Sequence, residues 1–289
     1  MKNKTIGFIG IGVMGKSMVR NLMQGGFSVH IFTRTKSKAS DLIEEGAIWE
    51  DEISTLTKNS DIIITIVGFP VDVEEIYLGE KGIINCSREG NILIDMTTSK
   101  PSLAIEINKK ALEKGVKTLD APVSGGDIGA KNGTLSIMVG GEKETFNETL
   151  PLLELMGKNI VYQGKAGSGQ HTKMCNQIAI ATNMIGVCEA LIYAKKAGLN
   201  EETVLKSITL GAAGSWSLSN LAPRIIKEDF SPGFFVKHFV KDMTIALTEA
   251  ENMGLLTPGL KLSLELYKEL MEQGYENNGT QVLYKAFNK

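Results

Sequence analysis

Residues 5–15 read TIGFIGIGVMG, a short apolar run that leads into glycines at positions 10, 12 and 15. An apolar run, then Gly-x-Gly-x-x-Gly, then a helical pattern is typical of the first strand, turn and helix of a dinucleotide-binding fold. The first glycine permits a tight turn, the second lets the backbone approach a pyrophosphate, and the third lets the helix pack closely. The helix predicted over residues 14–24 would direct its N–H groups and positive dipole end at the phosphates. Rather than a plain structural turn, we therefore predict dinucleotide contacts at Gly10, Ile11, Gly12, Val13, Met14 and Gly15.

The residues at the end of the second predicted strand, residues 28–33, indicate which dinucleotide is bound. NAD-selective sites carry an Asp or Glu about 20 residues after the glycines, which accepts hydrogen bonds from the ribose hydroxyls. This chain instead has the cationic sequence TRTKSK at residues 33–38. A guanidinium can bind a phosphate through two parallel hydrogen bonds, which favours the 2′-phosphate of NADP. We predict NADP, held in part by Thr33, Arg34 and Thr35, with NAD and an unliganded solvated loop as the open alternatives.

Composition and charge restrict the class of protein. The chain has 289 residues, of which 43% are hydrophobic and 22% charged, and its net charge is −2, which indicates a soluble two-domain protein and argues against nucleic acid as a partner. We expect no membrane span and no signal peptide, and hence a cytoplasmic protein. The three cysteines and three histidines are scattered without a CxxC pair, so we expect neither a disulfide framework nor a metal site.

The order of predicted elements indicates two domains. Strand-like and helix-like segments alternate as far as residue 164, the pattern of a doubly wound, mostly parallel α/β sheet. No convincing strand follows, and residues 169–196 form one long apolar-periodic stretch that ends at Gly198. We therefore predict a dinucleotide-binding Rossmann domain over residues 1–164. An all-α domain over residues 165–289 would begin with a long interdomain helix and serve substrate binding and oligomerisation.

Residues 120–126, DAPVSGG, leave a predicted strand with three small residues in succession. The backbone N–H groups of Ser124, Gly125 and Gly126 suit the carboxylate of a small substrate. A Gly-rich turn without a ligand explains the same segment equally well, so both interpretations stay open.

A lysine and two amides occur together at the start of the long helix, in residues 167–177, GSGQHTKMCNQ. Lys173, Asn176 and Gln177 are three and four positions apart, which places them on one helix face, where they could bind one small polar molecule. A lone lysine on a helix is more often solvated than catalytic. Lys241, further along the chain, could in the same way contact a cofactor or face water.

Six motifs occur in order along nearly the whole chain. They are GFIGIGVMG at 7–15, LIDMTTSKP at 93–101, DAPVSGGDIGA at 120–130, GTLSIMVGG at 133–141, GSGQHTKMCNQ at 167–177 and VKD at 240–242. In this combination the chain resembles the β-hydroxyacid dehydrogenase family, typified by 3-hydroxyisobutyrate dehydrogenase and tartronate semialdehyde reductase.

The resemblance implies a role for several residues. Lys173 would be the general acid/base. Thr97 and Lys241 would contact the nicotinamide end of the cofactor, and the loop at Val67 and Gly68 would lie along the dinucleotide. The substrate carboxylate would be bound by Ser124, Gly125 and Gly126.

The second helical amide departs from the family. Relatives commonly carry two amides after the lysine, and the second is often Asn, whereas this chain has Asn176 and then Gln177. Which of the two anchors the substrate therefore stays open. The resemblance also implies a homodimer or homotetramer, and Trp216 is either a wall of the substrate pocket or a core residue.

The implied reaction is reversible hydride transfer between the nicotinamide and a short 3-hydroxy acid or aldehyde acid, with the lysine handling the proton. One alternative is a non-catalytic NADP-binding regulatory module, whose relatives lose the lysine. Another is a serine-type or imine-type oxidoreductase on the same scaffold. A decarboxylase similar to 6-phosphogluconate dehydrogenase is disfavoured, because its larger helical domain and basic phosphate-binding cluster are not found. The physiological substrate and direction stay open, although NADP preference favours reduction.

Overall fold

The computed structural model describes residues 4–288, and the chain divides into two compact units, Met1–Lys173 and Met174–Lys289. The boundary falls inside a single helix, Ser168–Lys196. The sequence-based boundary, between residues 164 and 165, precedes this helix.

Strands and helices alternate along the first unit. The strands are β1 Ile6–Ile9, β2 Val29–Phe32, β3 Ile48–Trp49, β4 Ile62–Thr65, β5 Ile92–Asp95, β6 Lys117–Asp120, β7 Val123–Ser124, β8 Leu135–Gly141 and β9 Gly157–Gly164. The helices are α1 Val13–Gln24, α2 Ser40–Glu44, α3 Ile53–Lys58, α4 Pro70–Leu78, α5 Ile83–Cys86, α6 Pro101–Leu112, α7 Gly126–Asn132, α8 Lys143–Leu153 and the beginning of α9, Ser168–Lys196. A short 3-10 helix, Lys36–Ala39, precedes α2.

The nine strands form one sheet in the order β3-β2-β1-β4-β5-β6-β8-β7, and β9 also pairs with β8. The six strands from β3 to β6 in this order are parallel. Strand β8 runs antiparallel to β6 and β7 and parallel to β9. The parallel part has the strand order of a doubly wound dinucleotide-binding sheet. The predicted α/β fold class is therefore confirmed.

Helices cover both faces of this sheet. Phe8 of β1 belongs to a buried cluster with Met18 of α1. Ile63 of β4 belongs to a separate buried cluster with Tyr77 of α4 and Leu103 of α6. Because successive side chains of a strand point to opposite faces, a strand covered on both sides must be apolar throughout. This explains why the central strands read as continuous apolar runs.

The second unit is helical. It contains the remainder of α9, followed by α10 Glu201–Ile208, α11 Trp216–Asn220, α12 Ala222–Ile226, α13 Val236–Asn252, α14 Pro258–Glu272 and α15 Tyr284–Phe287, with a 3-10 helix at Thr280–Leu283. The rings of Phe239 and Tyr267 meet edge to face in its core, with centroids 5.1 Å apart. Within residues 174–288 the structure has no strand, and Phe235 and Gly279 form an isolated bridge. The all-α prediction for this part of the chain is confirmed.

Helix α9 is more apolar than the sequence analysis allowed. By length and composition it meets the criterion for a membrane-spanning helix, with a mean hydropathy of 1.4 in its most apolar window, although the sequence analysis expected no segment of that kind. The core helix of a soluble protein meets the same criterion. Met184, Cys188 and Leu191 of α9 are buried in the core of the second unit, which accounts for the apolar character of the helix.

Some short elements differ from the prediction. Residues 120–126, which the sequence pattern assigns to a loop, contain the two-residue strand β7 and the start of α7. Val123 and Ser124 of β7 pair with Ile137 and Ser136 of β8. A strand of two residues has no periodicity to detect, since its pairing depends on a partner more than ten positions away.

Candidate active site

The strand ends that hold the predicted site lie side by side. Because β2, β1, β4, β5 and β6 are parallel, the loops that follow them emerge at one edge of the sheet, where ligands of open α/β sheets bind. The loops that begin at residues 10, 33, 66, 96 and 121 therefore share this edge. Its consecutive register partners across the sheet are Phe32, Ile9, Thr65, Asp95 and Asp120.

The three glycines of the first loop play different roles. Gly10 has a φ of 106°, and a Cβ there would collide with the carbonyl oxygen of Ile66. A Cβ on Gly15 would collide with the carbonyl oxygen of Gly10, whereas a Cβ on Gly12 would have no atom within 4 Å. No side chain caps α1, which begins after Gly12. The first turn of α1 therefore has open space and uncapped N–H groups, which suit a phosphate. Of the other predicted contacts, Ile11 is buried, Met14 half-buried and Val13 63% exposed.

The cationic loop after β2 is exposed, and its arginine has an acidic partner. The Arg34 side chain is 82% exposed, and its Nη1 lies 3.1 Å from Oδ1 of Asp72. Asp72 also accepts a hydrogen bond from the backbone N–H of Phe69 at the start of α4. The ammonium of Lys36 lies 5.1 Å from the ring centroid of Trp49. Of the neighbouring predicted contacts, Thr33 is half-buried and Thr35 exposed.

The predicted nicotinamide-side loop is tied to the neighbouring strand ends. Oγ1 of Thr97 accepts a hydrogen bond from the N–H of Val67 at 3.0 Å. The N–H of Thr97 donates to Oδ1 of Asp95 at 3.0 Å, and the same oxygen accepts from Oγ1 of Thr65. Thr97 is 1% exposed. The structure thus brings Thr97 and the Val67–Gly68 loop together, as the resemblance implies.

A buried carboxylate holds the first turn of α9. Oδ1 of Asp120 accepts from the N–H of Gly167, and Oδ2 accepts from the N–H of Gln170, both at 2.8 Å. Burial raises the pKa of Asp120 to about 6, the two N–H donors oppose this, and the nearby Asp95 adds to it. A Cβ on Gly169 would collide with the carbonyl oxygens of Asp120 and Met138. The helix therefore begins in direct contact with the end of β6 and the middle of β8.

Lys173 lies on the next turn of the same helix. It is only 6% exposed. It is three positions after Gln170, a fully buried residue whose amide bonds the backbone of both Thr97 and Ser99. The buried lysine is thus on a helix turn that is attached to the Thr97 loop.

The predicted carboxylate-binding segment has an unusual backbone. Gly125 and Gly126 have φ values of 126° and 63°, which glycine alone adopts readily. Ser124 and Gly126 are half-buried and Gly125 is exposed. The segment follows the end of β6 by a few residues and lies at the ligand-binding edge of the sheet. Its role in binding the substrate carboxylate stays a prediction.

In the second unit, the two helical amides join a buried charge pair. Nδ2 of Asn176 donates to Oε1 of Gln177 at 2.7 Å, and Nε2 of Gln177 donates to Oδ2 of Asp242 at 2.6 Å. The ammonium of Lys241 lies 2.9 Å from Oδ1 of Asp242. Gln177 is fully buried and Asn176 half-buried. The structure thus links Asn176, Gln177 and Lys241 through Asp242.

Trp216 is a surface residue. It begins α11, and 64% of it is exposed, so it does not belong to the core. Ser215 caps this helix by accepting a hydrogen bond from the N–H of Leu218. Of the two interpretations of Trp216, a core residue or a wall of the substrate pocket, only the pocket wall stays as a prediction.

Sequence reasoning assigned no role to several polar residues around these sites. The sequence signal for two of them is an Asp at the end of a strand, at Asp95 and Asp120. Such an Asp is buried, and a buried charge needs hydrogen-bond partners. The residues that were missed are Asp72, Asp95, Asp120, Gln170 and Asp242.

Metal-ligating side chains are not grouped in the part of the chain that the structure describes. Among residues 4–288, no three His, Cys, Asp or Glu side chains are placed to hold a metal ion. Cys86, Cys175 and Cys188 are free thiols.

Comparisons with known proteins identify the family. The model for the NAD-binding domain of 6-phosphogluconate dehydrogenase matches residues 5–164. The model described as NAD-binding of NADP-dependent 3-hydroxyisobutyrate dehydrogenase matches residues 167–287. The chain is 63% identical to an uncharacterized oxidoreductase of Bacillus subtilis, YkwC, over 99% of both chains. It is 49% identical to a probable mitochondrial 3-hydroxyisobutyrate dehydrogenase-like protein of Arabidopsis thaliana, over 99% of this chain and 86% of the relative.

The chain is also similar to a protein named as a reductase and to a solved dehydrogenase structure. The chain is 39% identical to 2-hydroxy-3-oxopropionate reductase of Escherichia coli, over 97% of this chain and 94% of the relative. The structure of 3-hydroxyisobutyrate dehydrogenase of Mycobacterium tuberculosis with L-serine superposes with a TM-score of 0.91 at 28% identity, over 99% of both chains.

The fold and these matches define an NAD(P)-binding oxidoreductase. More narrowly, the chain belongs to the 3-hydroxyisobutyrate dehydrogenase-like family, as the sequence motifs predict.

Proposed function

We propose that the protein is an NADP-preferring β-hydroxyacid dehydrogenase or semialdehyde reductase in which Lys173 is the general acid/base. The observation that supports this most directly is the placement of Lys173. This lysine, which is 6% exposed, lies one helix turn from Gln170, and Gln170 bonds the loop of Thr97 at the ligand-binding edge of the sheet. Burial of a lysine costs desolvation free energy, and buried titratable groups are often found at functional sites. A role in proton transfer to a substrate oxygen is consistent with this placement.

The residues present fit a dinucleotide. A Cβ built on Gly12 would have no atom within 4 Å, so there is open space for a phosphate beside this residue. Helix α1 begins at the same place without a side-chain cap. Arg34 is exposed at the position where a 2′-phosphate is read, which supports NADP over NAD. Val67, Gly68 and Thr97 would line the dinucleotide, and Lys241 is proposed as a further contact.

When bound, the nicotinamide supplies or accepts the hydride at the substrate carbon. During reduction the Lys173 ammonium donates a proton from Nζ to the oxygen of the former carbonyl as negative charge develops there. During oxidation the neutral amine accepts the proton of the substrate hydroxyl, so the lysine must begin each direction in the opposite protonation state. Ser124, Gly125 and Gly126 would hold the substrate carboxylate, and an amide of α9 would orient the reacting group.

The substrate class we propose is a short 3-hydroxy acid or the matching aldehyde acid. The names of the relatives support this: one is named 2-hydroxy-3-oxopropionate reductase, and three are named as probable 3-hydroxyisobutyrate dehydrogenase-like proteins. An NADP preference makes reduction the favoured direction. Faster oxidation with NAD than reduction with NADPH across all substrates would contradict this direction.

The first test is the consumption of NADPH and of NADH by purified protein with tartronate semialdehyde, methylmalonate semialdehyde, succinic semialdehyde and glyoxylate. Oxidation of 3-hydroxyisobutyrate and L-serine is measured in parallel. The variant Lys173→Ala should lose about 10²–10⁴-fold in kcat, the usual contribution of general acid–base catalysis, and should still bind NADPH.

The matched control is Lys195→Ala, an exposed lysine near the other end of the same helix, which should keep full activity. A Lys173→Ala variant within threefold of wild type would overturn the proposed role of the lysine. A wild-type protein that binds NADPH and turns over no member of the panel in either direction would favour the non-catalytic module.

Self-association and a cytoplasmic location belong to the same proposal. Several large apolar side chains of the second unit are exposed, among them Tyr193 at 75%, Leu210 at 94% and Leu256 at 89%. Burying such side chains against another chain would remove apolar surface from water, which supports self-association. Sedimentation of the purified protein should give a homodimer or homotetramer, and a monomer at micromolar concentration would contradict it.

A further inference from the structure

The side chain of Gln170 is fully buried, and both ends of its amide are bonded to one loop. Its Oε1 accepts from the N–H of Ser99 at 2.9 Å, and its Nε2 donates to the carbonyl oxygen of Thr97 at 2.7 Å. The amide thus supplies one acceptor and one donor to main-chain groups two positions apart, the N–H of Ser99 and the carbonyl of Thr97. The amide therefore attaches the first turn of α9 to the main chain of this loop at two points.

The same residue is anchored on its backbone side. The N–H of Gln170 donates to Oδ2 of Asp120 at 2.8 Å, and Asp120 ends strand β6. Gln170 thus joins three parts of the first unit: the end of β6, the first turn of α9 and the loop between β5 and α6. The loop is in turn tied to the end of β4, because Thr97 accepts from the N–H of Val67.

Lys173 lies three positions after Gln170, so the two residues share one face of the helix. A rotation or shift of the first turn of α9 would move the amine of Lys173 relative to Thr97. The bonds of Gln170 oppose both motions, since they attach this turn to the backbone of the Thr97 loop itself.

We propose that Gln170 is a positioning residue that keeps the amine of Lys173 in register with the Thr97 loop, and so fixes the geometry of proton and hydride transfer. The inference rests on the proposed function, in which Lys173 moves the proton and Thr97 lies at the nicotinamide end. A displacement of about 1 Å at a reacting group costs on the order of 10²-fold in rate, so small shifts would be visible in kcat.

The variant Gln170→Glu separates positioning from mere packing. The carboxyl has the shape of the amide and can accept from Ser99, but it can donate to the Thr97 carbonyl only when it is protonated. Because burial raises the pKa of a carboxyl at this position, the profile is measured from pH 6 to pH 9.5. Relative to wild type at the same pH, we expect kcat to fall on the order of 10²-fold at the alkaline end, where the carboxyl is ionised, and to recover at least tenfold at pH 6. The dissociation constant of NADPH, read from its fluorescence, should change less than about threefold, because the phosphate contacts lie elsewhere.

A second readout does not require turnover. Hydrogen–deuterium exchange of the peptide that spans residues 96–100 should accelerate at least tenfold in Gln170→Leu, with and without NADPH, because the N–H of Ser99 loses its acceptor. The peptides of β1 and β4 should exchange as in wild type.

The matched control is Gln281→Glu in the second unit. Gln281 is also buried, and its Nε2 donates to the carbonyl oxygens of Asp229 and Ser231. This variant should lose thermal stability without the pH-dependent recovery of kcat that we expect of Gln170→Glu.

The outcomes distinguish this inference from the proposed function. If Lys173→Ala is inactive while Gln170→Glu keeps kcat within threefold of wild type at every pH from 6 to 9.5, or if exchange at residues 96–100 is unchanged in Gln170→Leu, Gln170 has no positioning role and the lysine mechanism stands. If Lys173→Ala is fully active, the proposed function fails and the inference fails with it.

Discussion

Nε2 of Gln177 donates a hydrogen bond to Oδ2 of Asp242 at 2.6 Å, and both residues are almost completely buried. The other end of the Gln177 amide accepts from Asn176. Gln177 is therefore committed at both ends to protein partners. Asn176, which is half-buried, is the amide that we expect to anchor the substrate.

The variants Asn176→Ala and Gln177→Ala should accordingly differ. Asn176→Ala should raise KM for the substrate about tenfold, the equivalent of one hydrogen bond of about 1.4 kcal/mol, with little change in the melting temperature. Gln177→Ala should destabilise the protein by about 1–3 kcal/mol, because it leaves the buried carboxylate of Asp242 with one partner fewer. Steady-state kinetics and thermal unfolding of both variants check this. Equal loss of stability in the two would contradict the assignment.

The glycines of the first loop allow a matched pair of substitutions. Gly12→Ala should fold normally, because a Cβ there meets no atom within 4 Å and the φ of −87° suits alanine, but its methyl group should fill the phosphate space. Gly15→Ala should lower stability, because its Cβ collides with the carbonyl oxygen of Gly10. We expect NADPH binding by Gly12→Ala to weaken at least tenfold at an unchanged melting temperature. Tight NADPH binding by Gly12→Ala would place the pyrophosphate elsewhere.

Arg34 should decide between the two nicotinamide dinucleotides. Arg34→Ala should weaken NADPH binding by about 10–100-fold, because it removes a charged hydrogen bond worth about 1.5–3 kcal/mol, and should change NADH binding less than threefold. The control is Arg88→Ala, which removes an exposed arginine paired with Asp61 just before β4, away from the ligand-binding edge. Equal losses of NADPH and NADH affinity in Arg34→Ala would argue against a 2′-phosphate contact.

A substitution at Asp72 tests the preference for NADPH over NADH independently. Its carboxylate lies 3.1 Å from the Arg34 guanidinium and would compete with a phosphate for it. Asp72→Asn should therefore tighten NADPH binding relative to NADH, the opposite direction to Arg34→Ala. Fluorescence titration of both cofactors measures the ratio.

Asp120 should make the stability of the first unit depend on pH. Its folded pKa of about 6 exceeds the ordinary value of 3.8, so the folded protein binds this proton more tightly than the unfolded chain does. The resulting stabilisation is present below pH 4 and is lost as the pH rises to about 6, an amount of about 3 kcal/mol. Asp120→Asn should therefore be most destabilised relative to wild type near pH 4 and less so at pH 7.

The measurement is urea unfolding in a Trp216→Phe background, which leaves Trp49 of the first unit as the fluorescent reporter. A free-energy difference between wild type and Asp120→Asn that is constant from pH 4 to pH 7 would contradict the raised pKa.

Local patterns were sufficient for the parallel centre of the sheet and for the turn of the glycine loop. Strands β1, β4 and β5 are apolar runs because both their faces are covered, and the glycines at 10, 12 and 15 follow the first of them directly. The lysine on α9 stands out by its spacing from two amides. Each of these signals lies within about ten residues of sequence.

The supporting contacts could not be predicted in the same way. Gln170 bonds a carbonyl 73 positions away, and Gln177 bonds a carboxylate 65 positions away. No local pattern reports such partners. A buried polar residue must have hydrogen-bond partners, but its burial becomes known only when the fold is known.

The contact of Gly169 with the carbonyl oxygens of Asp120 and Met138 has a consequence for engineering the enzyme. The closest approach of the first turn of α9 to the sheet is made to main-chain atoms, whose dimensions do not change with the amino-acid sequence, and the carboxylate of Asp120 holds the turn there. Side chains elsewhere in the sheet are not part of this closest contact. The same contact limits directed evolution at one position, because every other amino acid at residue 169 would push the helix away from the strand ends.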